Sequence, residues 1–412
     1  MLGDSAKKIL QFYVRSVANP KWGRPVAYFP FKSSSSLRVF GKVLDVLTAL
    51  DTAGFGVHTL VTDGAAENRS FMRNLDWDRA GAYYYMYHPA TNQRVVIIPD
   101  PPHVQKKLRN PLLKRALWLM LDGNEVSVDM DHIRRLVAWD RETNVPRVLH
   151  KLSKEALHPD TWQKMRVKLA CVVLSQSVAN MLRVWARLDK KPEVLGTALY
   201  CEQCNALFDL ATQERAVTEY TFPAWSKKVR NLLAWFEAAN RSAQAKRQRD
   251  FDTTKTKAEL EGTPVPNWSD IPSQWLPPTL CEDLVQLCNG IVAAVGHYVN
   301  THGVTGIAPG IISQDPVSIR ACPPSPPPPP PPRLPPIALA FAHPPAPACT
   351  HTHTHPSARP AQLECWFGRV RAHGRTNTNP TVLGYSAAMG GILSTMEGGT
   401  VDYANPRGNV AR

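Results

Sequence analysis

The chain has 412 residues, 43% of them hydrophobic, which is enough for two or three domains with a substantial core. Forty-eight Lys and Arg against 34 Asp and Glu leave a formal charge of +14, which favours a polyanionic partner because each neutralised phosphate releases a condensed counterion. No run of about 18 apolar residues occurs, and "MLGDSAKKILQFYVR" has neither the apolar core nor the cleavage site of a signal peptide, so no membrane span and no secretion are expected.

Residues 7–31 hold two β-like runs, "ILQFYVRSV" and "RPVAYFPF", around the turn-like "ANPKWG", and read as a hairpin. "SSSS" at 33–36 offers a helix cap. Leu37, Phe40, Val43, Leu44, Leu47 and Leu50 then recur at helical spacing, and the helix is expected to stop near Gly54. "GVHTLVT" reads as a strand running into Asp63, "ENRSFMRNL" as a short helix, and "RVVIIPD" as a strand stopped by Pro101 and Pro102. Strand, strand, helix, strand, helix, strand makes an α/β layer.

From about 113 to 300 helical periodicity dominates. "TWQKMRVKLACVVLSQSVANMLRVWARL" places Met165, Leu169, Val172, Val173, Ser177, Val178, Met181 and Val184 on one helical face. The polar, basic stretch 240–264 has no core pattern and is expected to be a solvated loop, with a position against DNA as the alternative. The eight cysteines are dispersed, which fits a reducing compartment. Cys201 and Cys204 form a Cys-x-x-Cys pair, but no second pair follows at zinc-finger spacing, so two helical cysteines are the expected reading.

Residues 317–362 hold 16 of the 37 prolines and no acidic residue, so no packed core is expected there. Such a run also prefers the polyproline II form that SH3 and WW domains bind. An apolar and charged pattern resumes at "LECWFGRVRAHG", read as a helix carrying Glu364, Phe367 and Arg371.

Three acids stand out by position. Asp63 ends an apolar strand, where open α/β sheets present ligands, and small residues follow it. Asp315 precedes the proline run and Glu364 lies beyond it. Carboxylates converging from separate elements suit Mg²⁺, a hard cation that keeps some of its waters.

Four runs in order carry a family resemblance: "GRPVAYFPFKSSSSLRVFGKVLDVLTALDTAGFGVHTLVTDGAAENRSFMRNL", "IPDPPHVQKKLRNPLL", "LHKLSKEALHPDTWQKMRVKLACVVLSQSVANML" with "NALFDL", and "LECWFGRVRAHGRTNTNPTVLGYSAAM". Together they resemble P-element-type transposases, including the THAP-domain transposase-like proteins of animals. The resemblance implies an RNase H-like mixed sheet interrupted by a large all-α insertion. It divides the chain into a partial catalytic domain at 1–112, the insertion at 113–310, the start of a final helix signature at 311–316, a disordered proline-rich insert at 317–362 and a closing catalytic segment at 363–412. It also implies that the sequence begins at the second strand of that sheet, without the first strand and its catalytic Asp, and without a THAP module.

The resemblance further implies the chemistry. Asp63 and Glu364 match the second and third catalytic carboxylates, which hold Mg²⁺ or Mn²⁺ during cleavage of a DNA phosphodiester and strand transfer. Asp100 and His103 are expected to support these ligands from behind, with a buried structural histidine as the alternative for His103. Lys106, Lys107, Arg109, Arg369, Arg371 and Arg375 are expected to contact phosphates of transposon ends and target DNA. Guanine nucleotide is a cofactor by resemblance alone, since no phosphate-binding glycine loop occurs in 113–310. Nuclear localisation and a homo-oligomer are implied in the same way, and a non-catalytic nuclear DNA-binding or scaffold protein is the alternative. Removing 317–362 would set Asp315 three residues before Glu364, matching the family's Gln-Asp-x-x-Glu signature. Val317-Ser318 and Gln362 are compatible with splice-site codons, so this segment is read as a translated intron, with a genuine linker as the alternative.

Overall fold

The computed structural model describes residues 8–17, 19, 22–31, 36–63, 66–72, 75–78, 82–143, 147–301, 305–313 and 337–342. The chain forms two compact units. One comprises Met1–Asp78, Tyr84–Asp100 and Gly310–Arg412, and the other Arg79–Tyr83 and Pro101–Pro309.

In the first unit β1 (Lys8–Ser16) and β2 (Gly23–Phe31) form the expected antiparallel hairpin. The helix α1 (Ser36–Thr52) follows and stops at the expected glycine. Gly54 has φ +83°, its N–H donates to Asp51 O at 2.8 Å, and the Phe55 N–H donates to Leu50 O at 2.9 Å. These two bonds satisfy carbonyls that the helix end would leave unpaired. Ser33–Ser35 of the expected cap lie outside the described residues.

Next come β3 (Val57–Thr62), α2 (Ala66–Met72), β4 (Asp76–Asp78), β5 (Tyr83–Tyr87) and β6 (Arg94–Pro99). β4 and β5 were not expected. β4 is only three residues long, and "YYYMY" has no apolar–polar alternation by which to recognise it. β3 is buried at all six positions, as a strand covered on both faces must be. Leu10, Phe12 and Val14 of β1, Val39, Val43 and Leu47 of α1, Phe71 of α2, and Leu60, Val95 and Ile97 of the central strands form one core.

The sheet has seven strands in the order β2-β1-β9-β3-β6-β5-β4, where β9 is Ile337–Ala342. β9 comes from the proline-rich segment. It pairs antiparallel with β1 from Gln11↔Ala342 to Ser16↔Ile337, and parallel with β3 from Val57↔Ile337 to Thr62↔Phe341. This corrects two expectations. The segment 317–362 is not without regular structure throughout, and the sheet has no gap between β1 and β3. The physical reason lies in "IALAFA", six apolar residues without charge or proline inside a proline-rich run. Such a sequence can sit in a doubly flanked position where every N–H must find a partner. A product lacking 317–362 would lose this strand.

The second unit is mostly helical: α3 (Pro101–Leu112), α4 (Met130–Thr143), α5 (Lys154–Leu157), α6 (Val167–Val173), α7 (Gln176–Leu188), α8 (Leu195–Thr212), α9 (Phe222–Glu261) and α10 (Pro278–Thr301). It is not all-α, because β7 (Leu117–Leu121) and β8 (Asn124–Val128) form a hairpin. Asp122 and Gly123, with φ of +49° and +80°, make the tight turn that an Asp-Gly pair favours. Gly196 of α8 lies so close to this hairpin that a Cβ there would stand 2.6 Å from Ser127 O.

The helix expected across "TWQKMRVKLACVVLSQSVANMLRVWARL" is broken into a short 3₁₀ turn (Gln163–Met165), α6 and α7. Arg166 and Ser175 have extended backbone, and the Ser175 hydroxyl caps α7 by accepting from the Val178 N–H at 3.3 Å. The single face therefore dissolves, and Met165 and Val184 are exposed while Val173 and Val178 are buried. The stretch expected as a loop, 240–264, is instead helical as far as Glu261. Ala243 and Ala258 are buried there, and Arg247 donates to Ile271 O and Trp268 O, both at 2.8 Å. Ion pairs one turn apart, Lys255–Glu259 and Lys257–Glu261, line its exposed side. Gly262, with φ +66°, ends it.

Ala340 pairs with Tyr13 on one side and Val61 on the other. Ala340→Pro removes a ladder donor in mid-sheet and is expected to lower the urea midpoint of the first unit, since proline is otherwise confined to edges and bulges. An unchanged midpoint would show that β9 contributes nothing to the sheet.

Candidate functional site

β3 and β6 run parallel and in register, with Thr62 opposite Pro99. The next residues, Asp63 and Asp100, therefore stand side by side just beyond the carboxyl ends of two adjacent strands, at a strand spacing of about 4.8 Å. The Asp100 N–H donates to Thr62 O at 2.7 Å, which continues the ladder and fixes this juxtaposition.

Each carboxylate is held. Asn68, one turn into α2 and completely buried, donates its Nδ2 to Asp63 Oδ1 at 2.8 Å. Its own Oδ1 is buried and has no hydrogen-bond partner. Asp100 is completely buried, and the Ser313 hydroxyl donates to its Oδ1 at 2.9 Å. Sequence reasoning missed both Asn68 and Ser313. "GAAEN" did place an asparagine five residues after Asp63, but nothing in that spacing says that its amide, from α2, meets the carboxylate.

The edge of the sheet continues onto β9. Phe341 is level with Thr62, so Ala342 comes level with Asp63, and Gln11 of β1 faces Ala342 from the other side. This edge thus reads Gln11, Ala342, Asp63, Asp100 across four strands, with acids only on the last two. Among the described residues no group of three or more His, Cys, Asp or Glu is placed to hold a metal ion. The donors present are all hard oxygens, and the Asn68 Oδ1 is an orphaned acceptor beside a carboxylate. That set suits a hard divalent cation in part, with further acids required from elsewhere.

Asp315, Glu364, Arg369, Arg371 and Arg375 lie outside the described residues. His103, half-buried on α3, belongs to the second unit, as do the three expected phosphate contacts on that helix. Their surroundings correct that expectation. Lys106 is buried, and Arg109 is completely buried, donating to Lys164 O at 2.8 Å and to Asn110 Oδ1 at 3.0 Å. Burial pulls the Arg109 guanidinium down to about 10, where it is still charged at neutral pH. Lys107 forms a 2.7 Å ion pair with Asp283, which is only 3% exposed. α3 is buried nearly all round, at Val104, Gln105, Lys106, Leu108 and Arg109 alike, so Lys106 and Arg109 are covered along with its apolar residues.

Cys201 and Cys204 are both completely buried on α8. Burial pushes the Cys201 thiol up to about 12 and the Cys204 thiol well above its ordinary value, which disfavours the thiolate a metal needs.

The family model described as "TNP-like, RNase H N-terminal domain" matches residues 3–76, and the one described as "TNP-like, GTP-binding insertion domain" matches residues 102–221. No curated protein matches the chain. The solved structure of the Drosophila P element transposase strand transfer complex is similar in fold, with a TM-score of 0.63 at 14% sequence identity over 93% of this chain and 73% of that one. The RNase H N-terminal match thus spans β3, the strand that leads into Asp63.

Lys107→Met is expected to lower the stability of the second unit by about 2–3 kcal/mol in urea unfolding, because Asp283 is left buried and charged. Lys107→Met with Asp283→Leu is expected to regain most of that loss. A neutral single substitution would mean that Lys107 is a free surface cation after all.

Proposed function

We propose that the chain is a DNA-processing protein derived from a P-element-type transposase, with its reaction centred on Asp63. The ancestral reaction is cleavage of a DNA phosphodiester and transfer of the strand. The observation that carries this reading is the placement of Asp63 at the carboxyl end of a buried parallel strand, locked by Asn68 and flanked by Asp100.

Asp63, Glu364 and Asp315 are the residues assigned to Mg²⁺ or Mn²⁺, with the Asn68 carbonyl oxygen as an additional neutral ligand. The cation would supply charge stabilisation at the scissile phosphate and a more acidic bound water. The protein's part is positional. Asn68 fixes one oxygen of Asp63, and Asp100, tied to Ser313 and to the strand ladder, holds a second carboxyl group beside it. The partner is DNA, as in the transposase complex whose fold the chain shares, and the working compartment is the nucleus. Guanine nucleotide in the second unit is carried by the family description of residues 102–221, with no nucleotide-binding residue assigned. The proline-rich run remains a candidate ligand for SH3 or WW domains.

A second reading, a DNA-binding scaffold without catalysis, is favoured by one observation. The strand beside β3 places Ala342 level with Asp63, so β9 completes the hydrogen bonding there without offering an acid.

A supercoiled-plasmid nicking assay in Mg²⁺ tests both. Wild-type nicking that falls to background in Asp63→Ala and Glu364→Ala, and by about 10- to 100-fold in Asn68→Ala, supports the enzyme. Equal nicking in all four refutes the site. No nicking by a wild type that still binds DNA supports the scaffold, and recovery with Ala342→Asp would identify the missing acid.

A further inference from the structure

With Lys106 and Arg109 buried and Lys107 paired to Asp283, the exposed cations of the second unit without an ion pair lie elsewhere. Residues 147–168 carry six, Arg147, Lys151, Lys154, Lys164, Arg166 and Lys168, against two carboxylates, Glu155 and Asp160, a net +4. All six are exposed. Among the described residues Arg147, Lys151, Lys164 and Lys168 form no ion pair, while Glu155 is held below the usual carboxylate range by hydrogen bonds from the Ser153 hydroxyl and its own backbone N–H, with the charges of Arg166 and Lys154 adding to them. The other acid, Asp160, accepts from the Gln163 N–H at Oδ1 at 2.7 Å, while its own N–H donates to Gln163 Oε1 at 2.9 Å. Four cations in one short stretch are thus left without a counter-charge.

The same stretch exposes large apolar groups. Trp162 is 38% exposed and Met165 41%, on the 3₁₀ turn that also carries Lys164. This turn is rigidly placed: it packs against α3 and α6, α5 packs on α6, and the buried Arg109 guanidinium donates to the carbonyl of Lys164. An exposed indole beside the turn that carries Lys164, in a stretch with four unpaired cations, matches what an unpaired nucleic-acid strand needs, a ring for a base to stack on and cations for its phosphates. A duplex hides its base faces and would leave the indole unused. An anionic membrane is matched less well, because the apolar groups sit on a turn and form no amphipathic helix.

We propose that this surface, Trp162 with Lys151, Lys164, Arg166 and Lys168, binds single-stranded DNA, with Trp162 stacking on a base. The proposal builds on the reading of the chain as a DNA-processing protein and names the strand-holding surface of its second unit. It needs no metal and no catalysis.

The test is fluorescence anisotropy of the full chain with labelled 20-nucleotide single strands and duplexes in EDTA over a KCl series, so the outcome is independent of nicking. Trp162→Ala is expected to weaken single-strand binding about 10-fold or more, with Trp162→Phe recovering most of it. Lys164→Ala with Lys168→Ala is expected to reduce the salt slope by about 1.4, two phosphate contacts' worth on a single strand. Lys227→Ala with Lys228→Ala, exposed cations on α9, serves as the control and is expected to change binding little. Unchanged single-strand affinity in both Trp162→Ala and the lysine pair overturns the proposal. So does a Trp162→Ala effect confined to phosphatidylserine vesicles, or to duplex DNA.

Discussion

The sheet of the first unit depends on what lies between β1 and β3. Both strands are buried, and each presents a row of N–H and C=O groups to the space between them; left unpaired inside a protein, each such group costs about as much as a lost hydrogen bond. Ile337–Ala342 answers both rows at once, antiparallel to β1 and parallel to β3. The parallel ladder from β9 through β3 to β6 then aligns the strand ends, and only because those ends align do Asp63 and Asp100 stand together. This pairing joins the β1–β2 hairpin to β3 and β6, whose own register sets Asp63 beside Asp100.

The same strand separates fold from chemistry. β9 satisfies the backbone without regard to its side chains, since a ladder is made of main-chain groups, but a cation site is made of side chains. Ala342 level with Asp63 gives the sheet its hydrogen bonds and the cation nothing. A sheet can therefore keep its full backbone ladder while the row of acids at its edge is interrupted, as it is at Ala342.

Much of this was legible in the residues. The hairpin, α1 with its stop at Gly54, and β3 ending in Asp63 followed from periodicity and turn chemistry, because each is specified locally. β9 was not, since "IALAFA" is too short to outweigh the prolines around it and its partners lie more than 270 residues away. The distal half of α9 read as a loop because its support comes from Trp268 and Ile271, outside its own sequence. Among site residues, Asp63 announced itself by its place at a strand end, whereas Asn68 and Ser313 become visible only once the chain has folded back on the acids. Lys106, Lys107 and Arg109 misled because basic residues on a helix are ordinarily solvated, and here α3 is covered on the side that carries them.

Hydrogen exchange of the native chain, followed by mass spectrometry on peptides spanning 337–342, tests the central role of β9 most directly. Amides at Ile337–Ala342 protected to the level of the buried strand Val57–Thr62 are expected, with both protections lost together on unfolding. Exchange at the rate of an unstructured chain in 337–342, with β3 still protected, would contradict it.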